Sequence, residues 1–121
     1  MSEKKHIIKD LRLVYNGPLS VEEYYAEVEK WMEELGLNRD IKRKSEEVTS
    51  KGRKVEWIVE AWKEVRHDVR HVVRLRTLFN NVEERIIRKG AKRLRINQGD
   101  ILINIDGFVE THLENHWSQK P

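Results

Sequence analysis

The segment from residue 54 to residue 79 constrains the fold more than any other part of the chain, because it can form either one helix or two strands. Its apolar residues recur at helical spacing, but its odd-numbered residues are also mostly apolar, as alternation along a strand requires. Folding the segment into a hairpin with its loop at 66–68 brings opposite charges together across the strands. In that register Glu60 lies opposite Arg74, and Glu64 lies opposite Arg70. We therefore predict two antiparallel strands here and not a helix.

The clearest helix signal begins at Ser20. Ser20 and Glu23 have the spacing of a capping box, in which each side chain accepts a hydrogen bond from the other residue's backbone N–H. Apolar residues follow at helical spacing as far as Leu35, and the next residue, Gly36, is of the type that commonly ends helices. The sequence therefore predicts an amphipathic helix over about 21–35, with a strongly acidic outer side.

Five further segments are predicted as strands from their alternation and from the turn residues that bound them. They span 6–15, 40–50, 82–88, 92–96 and 101–117. The predicted breaks between strands are Asn16-Gly17-Pro18, Ser50-Lys51-Gly52-Arg53, Asn80-Asn81, Lys89-Gly90-Ala91 and Gln98-Gly99-Asp100. Within the last strand, Gly107 is predicted to mark a bulge.

These elements predict the α+β class: an N-terminal strand, one amphipathic helix, and then a meander of long antiparallel strands that form a curved sheet with the helix on one face. The length of 121 residues predicts a single domain over 1–121. The order of elements is similar to the helix-grip arrangement of START-like ligand-binding proteins, although the second short helix and the long C-terminal helix of that arrangement have no counterpart here. The segments EAWKEVRHDVRHVVRL and GDILINIDGFVETHLENHW also resemble a group of small archaeal α+β proteins. That resemblance implies strands and a thermophilic archaeal source, and it implies no site residues.

Composition limits the function classes. The chain has no cysteine, which excludes disulfides and thiolate metal sites. Its first residues, MSEKKHIIKD, lack the apolar core of a secretory signal, and no apolar run reaches the length of a membrane span, so we expect a cytoplasmic protein. Charged residues make up 37% of the chain, and glutamine is scarce, which is typical of hyperthermophile proteins.

Basic residues concentrate in the middle of the chain, within an overall net charge of +3. The candidates for a phosphate-binding surface are Arg66, Arg70, Arg74, Arg76 and Arg93. Nucleic-acid binding through the basic block 66–95 is therefore one hypothesis. The alternative is a ladder of ion pairs on a solvated sheet face, because the hairpin register supplies glutamates as partners. Aromatic residues are sparse in the block, which disfavours single-strand binding.

The stretch THLENH, residues 111–116, holds the weak candidates for a metal site. His112 and His116 project from one face of a strand with Glu114 between them, and imidazole and carboxylate groups suit divalent metals. However, the two histidines lie about 13 Å apart along an extended strand, which is too far for both to bind one ion. We therefore predict no metal and no cofactor. No nucleophile elbow, phosphate-binding loop or tuned acid–base pair favours an enzyme.

Apolar residues among the charges of the even-numbered strand positions indicate contact with a partner. They include Ile58, Trp62, Val72 and Phe108. We predict a non-catalytic interaction module that forms a homodimer through this face. The alternative is a carrier of a small apolar ligand, with a helix-grip-like pocket lined by Trp31, Trp57 and Phe108.

Overall fold

The computed structural model describes residues 2–112. Within these residues it contains one helix and five strands in a single antiparallel sheet, which confirms the α+β class. The elements are β1 (Ser2–Leu19), α1 (Val21–Glu34), β2 (Asn38–Thr49), β3 (Gly52–Arg66), β4 (Val69–Lys89) and β5 (Lys92–His112). The strands are ordered β1-β5-β4-β3-β2, so β1 and β2 form the two edges.

The hairpin of β3 and β4 has the predicted register, and both predicted glutamate–arginine pairs stand directly opposite each other. The loop is one residue shorter than predicted. Arg66 pairs with Val69 across a register shift, which leaves only residues 67–68 as the turn. Complementary charges and apolar alternation point to the same register, and the strands adopt it.

α1 begins where predicted. Ser20 Oγ accepts a hydrogen bond of 3.1 Å from the backbone N–H of Glu23, which satisfies one of the free donors of the first turn. The helix ends at Glu34, and Gly36 follows with a φ of +67°, a left-handed conformation that glycine adopts without steric cost.

The core lies where α1 contacts β3 and β4. One cluster of buried side chains contains Met32, Trp57, Val59, Ala61 and Leu75, and a second contains Val21, Val55, Phe79 and Val82. Thr77 is also fully buried, and its hydroxyl shares a hydrogen bond of 2.6 Å with the Tyr24 hydroxyl, so neither polar group is left unsatisfied. Burial raises the pKa of Tyr24, although the hydrogen bond to Thr77 acts in the opposite direction.

Two of the predicted turns are wrong. Residues 16–18 pair with residues 98–100, so β1 and β5 both continue through segments that are rich in turn-forming residues. The predicted short strands 82–88 and 92–96 are likewise parts of β4 and β5. The bulge predicted at Gly107 lies in the neighbouring strand: Gly107 keeps an unbroken register with β4, but β1 is irregular on both sides of Ile8, the residue that pairs with Gly107.

The break predicted at Asn80-Asn81 is a bulge inside β4. The register with β5 shifts after Asn80, and Asn81 adopts a φ of +54°, which asparagine tolerates better than most residues. Glycines of the two neighbouring strands face this bulge. A Cβ on Gly52 of β3 would lie 2.7 Å from the carbonyl oxygen of Val82, and a Cβ on Gly99 of β5 would lie 2.9 Å from that of Asn80. Both positions therefore require glycine for close backbone approach.

Beyond the bulge, β4 and β5 extend past the other strands. The last pair between β4 and β3 is Val82 with Arg53, and the last pair between β5 and β1 is Asn97 with Leu19. Within the described part of the chain, residues 85–89 and 92–96 then pair only with each other. We call residues 85–96 the ribbon; it ends in a turn at residues 90–91, and every residue from 85 to 95 is exposed.

Candidate functional site

Four of the five predicted phosphate-binding arginines are paired with carboxylates. The pairs and their N–O distances are Arg66–Asp68 at 3.5 Å, Arg70–Glu110 at 2.7 Å, Arg74–Glu60 at 2.9 Å and Arg76–Glu56 at 2.8 Å. A guanidinium whose charge is balanced by an adjacent carboxylate contributes little net field toward a phosphate. These arginines therefore fit the ladder of ion pairs better than a phosphate-binding surface.

Glu56 lies between two arginines on this ladder. Its Oε2 accepts a hydrogen bond of 2.8 Å from Arg76, and its Oε1 lies 2.9 Å from Arg43 Nε. The hydrogen bond from Arg76 lowers the pKa of Glu56, burial acts in the opposite direction, and the charge of Arg43 lowers it again, with a net downward shift.

We expect Glu56→Gln to reduce the loss of stability in acid. Because folding lowers the pKa of Glu56, the ionised carboxylate stabilises the fold above the ordinary glutamate pKa, and this contribution is lost as the pH falls through the lowered value. The free energy of unfolding should therefore fall more for the parent than for the variant between about pH 5 and about pH 3. Urea titrations at several pH values across this range measure the difference, and parallel curves for the two proteins would contradict the prediction.

The apolar candidates on the even-numbered face are partly covered by basic side chains of the same chain. Val72 is 2% exposed and Phe108 is 5% exposed. The guanidinium of Arg70 lies 5.6 Å from the ring centroid of Trp62, and the Lys4 ammonium lies 5.2 Å from that of Phe108. Long basic side chains can shield apolar surface in this way while their charges stay in water. Little of Val72 or Phe108 is left for a partner to bury.

The three aromatic residues of the predicted ligand pocket do not come together. Trp57 is buried in the core, with its ring centroid 4.6 Å from that of Tyr25. Phe108 has the opposite parity in a continuous register, so it projects from the other side of the sheet, where Ile58 is half-buried. Trp31 is 46% exposed on α1. These positions do not form one cavity.

Of the weak metal candidates, only His112 lies among the described residues. Its backbone N–H donates a hydrogen bond of 2.8 Å to the carbonyl oxygen of Asp68, which ties the end of β5 to the hairpin turn. Glu114 and His116 lie outside the described residues. Within residues 2–112, no group of three or more histidine, aspartate or glutamate side chains could hold a metal ion.

The fifth predicted arginine, Arg93, belongs to the ribbon, where the electrostatics are different. The ribbon contains six basic residues and no acidic residue: Arg85, Arg88, Lys89, Lys92, Arg93 and Arg95. At its root, Arg85 and Arg95 lie 3.9 Å and 3.7 Å from the carboxylates of Glu83 and Glu84. The other four basic residues lie nearer the tip, and among the ion pairs of residues 2–112 they have no carboxylate partner.

The four tip residues stand in two like-charged pairs. Arg88 is directly opposite Arg93, and Lys89 is directly opposite Lys92. Like charges opposite each other destabilise a pair of strands, so the ribbon is less stable than neutral residues would make it. Positions that violate local rules without a structural gain are commonly functional. This arrangement therefore makes the tip the strongest candidate for binding an anion-rich partner.

Apolar side chains accompany the charges of the ribbon. Ile86, Ile87 and Leu94 are 58%, 40% and 39% exposed, and Ile87 pairs with Leu94 across the strands. The ribbon contains no aromatic residue. Sequence reasoning placed Arg88, Lys89 and Lys92 in the basic block but selected only Arg93 of the tip as a candidate. The missed signal was the register around Gly90, which sets Arg88 and Lys89 opposite two further basic residues.

Comparison of the chain with protein-family models, with curated proteins and with solved structures finds no match. A search of the described residues for a helix long and apolar enough to cross a membrane finds none. The candidate site therefore rests on the geometry and charge of this chain.

Proposed function

We propose that the protein is a non-catalytic DNA-binding module and that the ribbon is the element that contacts the duplex. The observation that carries the proposal is the pair of like-charged cross-strand contacts at the exposed tip, Arg88 with Arg93 and Lys89 with Lys92. Phosphate groups placed between these side chains would relieve the repulsion that the free protein retains. The basic block 66–95 thus divides into two parts: the arginines at 66–76 each have a carboxylate partner, whereas the four basic residues of the ribbon tip have none among the ion pairs of residues 2–112.

The composition of the ribbon favours a duplex over a single strand. Proteins that bind single strands stack bases on aromatic side chains, and the ribbon has none. The major groove of B-DNA is about 12 Å wide and admits a two-stranded β-ribbon. The corresponding groove of double-stranded RNA is deep and too narrow for side chains to read. DNA is therefore the nucleic acid that this shape fits best.

The other surfaces of the domain restrict how DNA can approach. With the helix on one face of a curved sheet, the exposed glutamates of α1 repel phosphates on that side. They include Glu22, Glu23, Glu27, Glu33 and Glu34. On the opposite face, Arg74 and Arg76 each pair with a carboxylate, which reduces their attraction for phosphates. The ribbon then offers an approach with a favourable potential, and complementary potentials of this kind orient binding partners.

Neutralising one like-charged pair tests the proposal. We expect Arg88→Thr with Arg93→Thr to weaken binding to a duplex of about 25 base pairs by about ten-fold or more, and to make the slope of log K against log salt less negative by about two. Thermal stability should stay equal or rise, because the variant loses a repulsive cross-strand contact. Fluorescence anisotropy over a series of salt concentrations and a thermal melt measure the two effects.

The matched control is Arg74→Thr with Arg76→Thr, which removes the same charge from the ladder of ion pairs. This control should bind the duplex nearly as well as the parent protein. The proposal fails if the parent shows no salt-dependent binding to duplex DNA at low salt. It also fails if the ladder variant loses as much affinity as the ribbon variant, or if single-stranded DNA binds more tightly than the duplex.

A further inference from the structure

The two edges of the sheet differ in a way that points to a partner for β1. Every residue of β2 is exposed, and most are charged, which is how sheet edges are normally protected from pairing with another strand. In β1, the stretch from Leu11 to Gly17 has only Arg12 as a charged residue. Its apolar side chains are largely exposed: Leu11 46%, Leu13 50%, Val14 78% and Tyr15 47%.

The same stretch of β1 is geometrically suited to pairing. The irregularities of β1 lie between His6 and Leu11, where Asp10 has a φ of +51°, and bulges of this kind discourage edge pairing. From Leu11 to Leu19 the register with β5 is unbroken. The outer edge of this regular segment presents backbone N–H and C=O groups that another extended strand can satisfy.

We propose that a second copy of this chain pairs with β1 in antiparallel orientation, with the two-fold axis at Leu13. In this register Leu11 meets Tyr15 of the second copy, Leu13 meets Leu13, and all of these side chains project from the same face. Arg12 meets Val14, whose exposed methyl groups the aliphatic part of the arginine covers.

Neighbouring registers fit less well. An axis at Arg12 places two guanidinium groups directly opposite each other, which is repulsive. An axis at Val14 leaves Leu11 opposite Gly17, without a side chain to pack against. A shift by a single residue pairs odd positions with even positions and separates the apolar side chains onto different faces. The segment is therefore self-complementary about Leu13, which favours a second copy over an unrelated strand.

The area of the contact determines how tightly two copies are expected to bind. Seven residues of strand span about 24 Å, so the contact is confined to one short strand edge. Stable complexes typically bury about 800 Å² per partner. We therefore expect a weak dimer with a dissociation constant in the micromolar range or above, so that the monomer and the dimer exchange with concentration.

Cysteine cross-linking tests the register directly, because the chain has no cysteine of its own. Residues opposite each other in an antiparallel pair have Cα atoms about 4.5–5.5 Å apart, which is within the range that a disulfide spans. We expect Leu13→Cys to form a disulfide-linked dimer under mild oxidation at least ten-fold faster than Val48→Cys. Val48 is the matched control, because it is 77% exposed on the other edge of the sheet.

Sedimentation equilibrium supplies the second measurement. The parent and Val48→Lys should show a rising average mass up to about 500 μM, whereas Leu13→Lys should remain a monomer. A monomeric parent over this range, or equal cross-linking rates at the two positions, would overturn the proposal. If Leu13→Lys failed to fold, the cross-linking rates alone would decide. The inference does not depend on DNA binding, since all samples are free of nucleic acid.

Discussion

Charge reversal at the ribbon tip, Arg88→Glu with Arg93→Glu, is expected to lower the affinity for duplex DNA by at least 100-fold at about 0.1 M salt. Two favourable phosphate contacts become repulsive, and like-charge juxtaposition at an interface costs several kcal/mol. The parent protein should show a slope of log K against log salt between about −3.6 and about −5.4, because four to six basic residues of the ribbon can reach phosphates. The slope of the reversed variant should be less negative by at least about two, because Lys89 and Lys92 remain.

The control for this reversal is Lys5→Glu with Lys9→Glu, which changes the net charge by the same amount at the far end of β1. If net charge alone governed binding, the two variants would lose affinity equally. We expect the β1 variant to lose less than about three-fold, since its charges lie beyond a Debye length of about 10 Å from the bound duplex. Equal losses would remove the ribbon from its proposed role.

Substituting the glycines that flank the β4 bulge is expected to produce the largest loss of stability. An added Cβ at Gly52 meets the carbonyl oxygen of Val82 at 2.7 Å, and the φ of +122° at Gly52 is itself strained for alanine. Backbone atoms cannot rotate away, so the strands must separate locally. We expect Gly52→Ala to cost about 3 kcal/mol or more, from overpacking and backbone strain together. Gly99→Ala, which adds overpacking alone, should cost about 1–3 kcal/mol.

Gly90→Ala is the control for these two variants. Gly90 has a φ of +67° at the ribbon tip, and no atom lies within 4 Å of the position that a Cβ would occupy. Gly90→Ala should therefore lower the free energy of unfolding only through the unfavourable backbone conformation, by about 1 kcal/mol. Thermal or urea unfolding measures all three variants, and the Gly52→Ala protein should melt on the order of 10 °C below the parent. A cost at Gly90 equal to that at Gly52 would show that close packing at the bulge is not the cause.

The hairpin and the helix could be predicted because several local signals agree at each. At the hairpin, alternation and complementary charges give one register, and Glu60 faces Arg74 as expected. At the helix, the Ser20 cap and Gly36 mark its limits. Agreement between independent signals of this kind is what distinguishes a reliable sequence prediction.

The full lengths of β4 and β5 could not be predicted, because bulges and turns favour the same residue types. Asn81 and Gly99 are typical of turns, since both residue types adopt unusual backbone conformations easily. In this fold they serve a bulge, and the glycines let the neighbouring backbones approach it. Whether the chain reverses there or continues depends on pairing with β1 and β3, which local sequence does not encode.

The candidate site could be predicted only in part, because the sequence does not show which residues lie close together in space. Arg93 was among the expected phosphate-binding residues, but Arg70 and Arg76 were as well. Arg70 is neutralised by Glu110 of β5, which is distant in sequence. Charge density along the chain therefore identified the basic block, whereas only the three-dimensional partners separate balanced arginines from unbalanced ones.

The ribbon extends past the bulge, and its length determines how far the acidic helix lies from a bound duplex. Five residues of each strand project by about 17 Å, whereas the major groove is about 8.5 Å deep. If the tip contacts the floor of the groove, roughly 8 Å of the ribbon remains outside the groove. This length is about equal to the Debye length at physiological salt. The ribbon would thus hold the body of the domain about one screening length from the duplex, which weakens the repulsion between phosphates and the acidic helix.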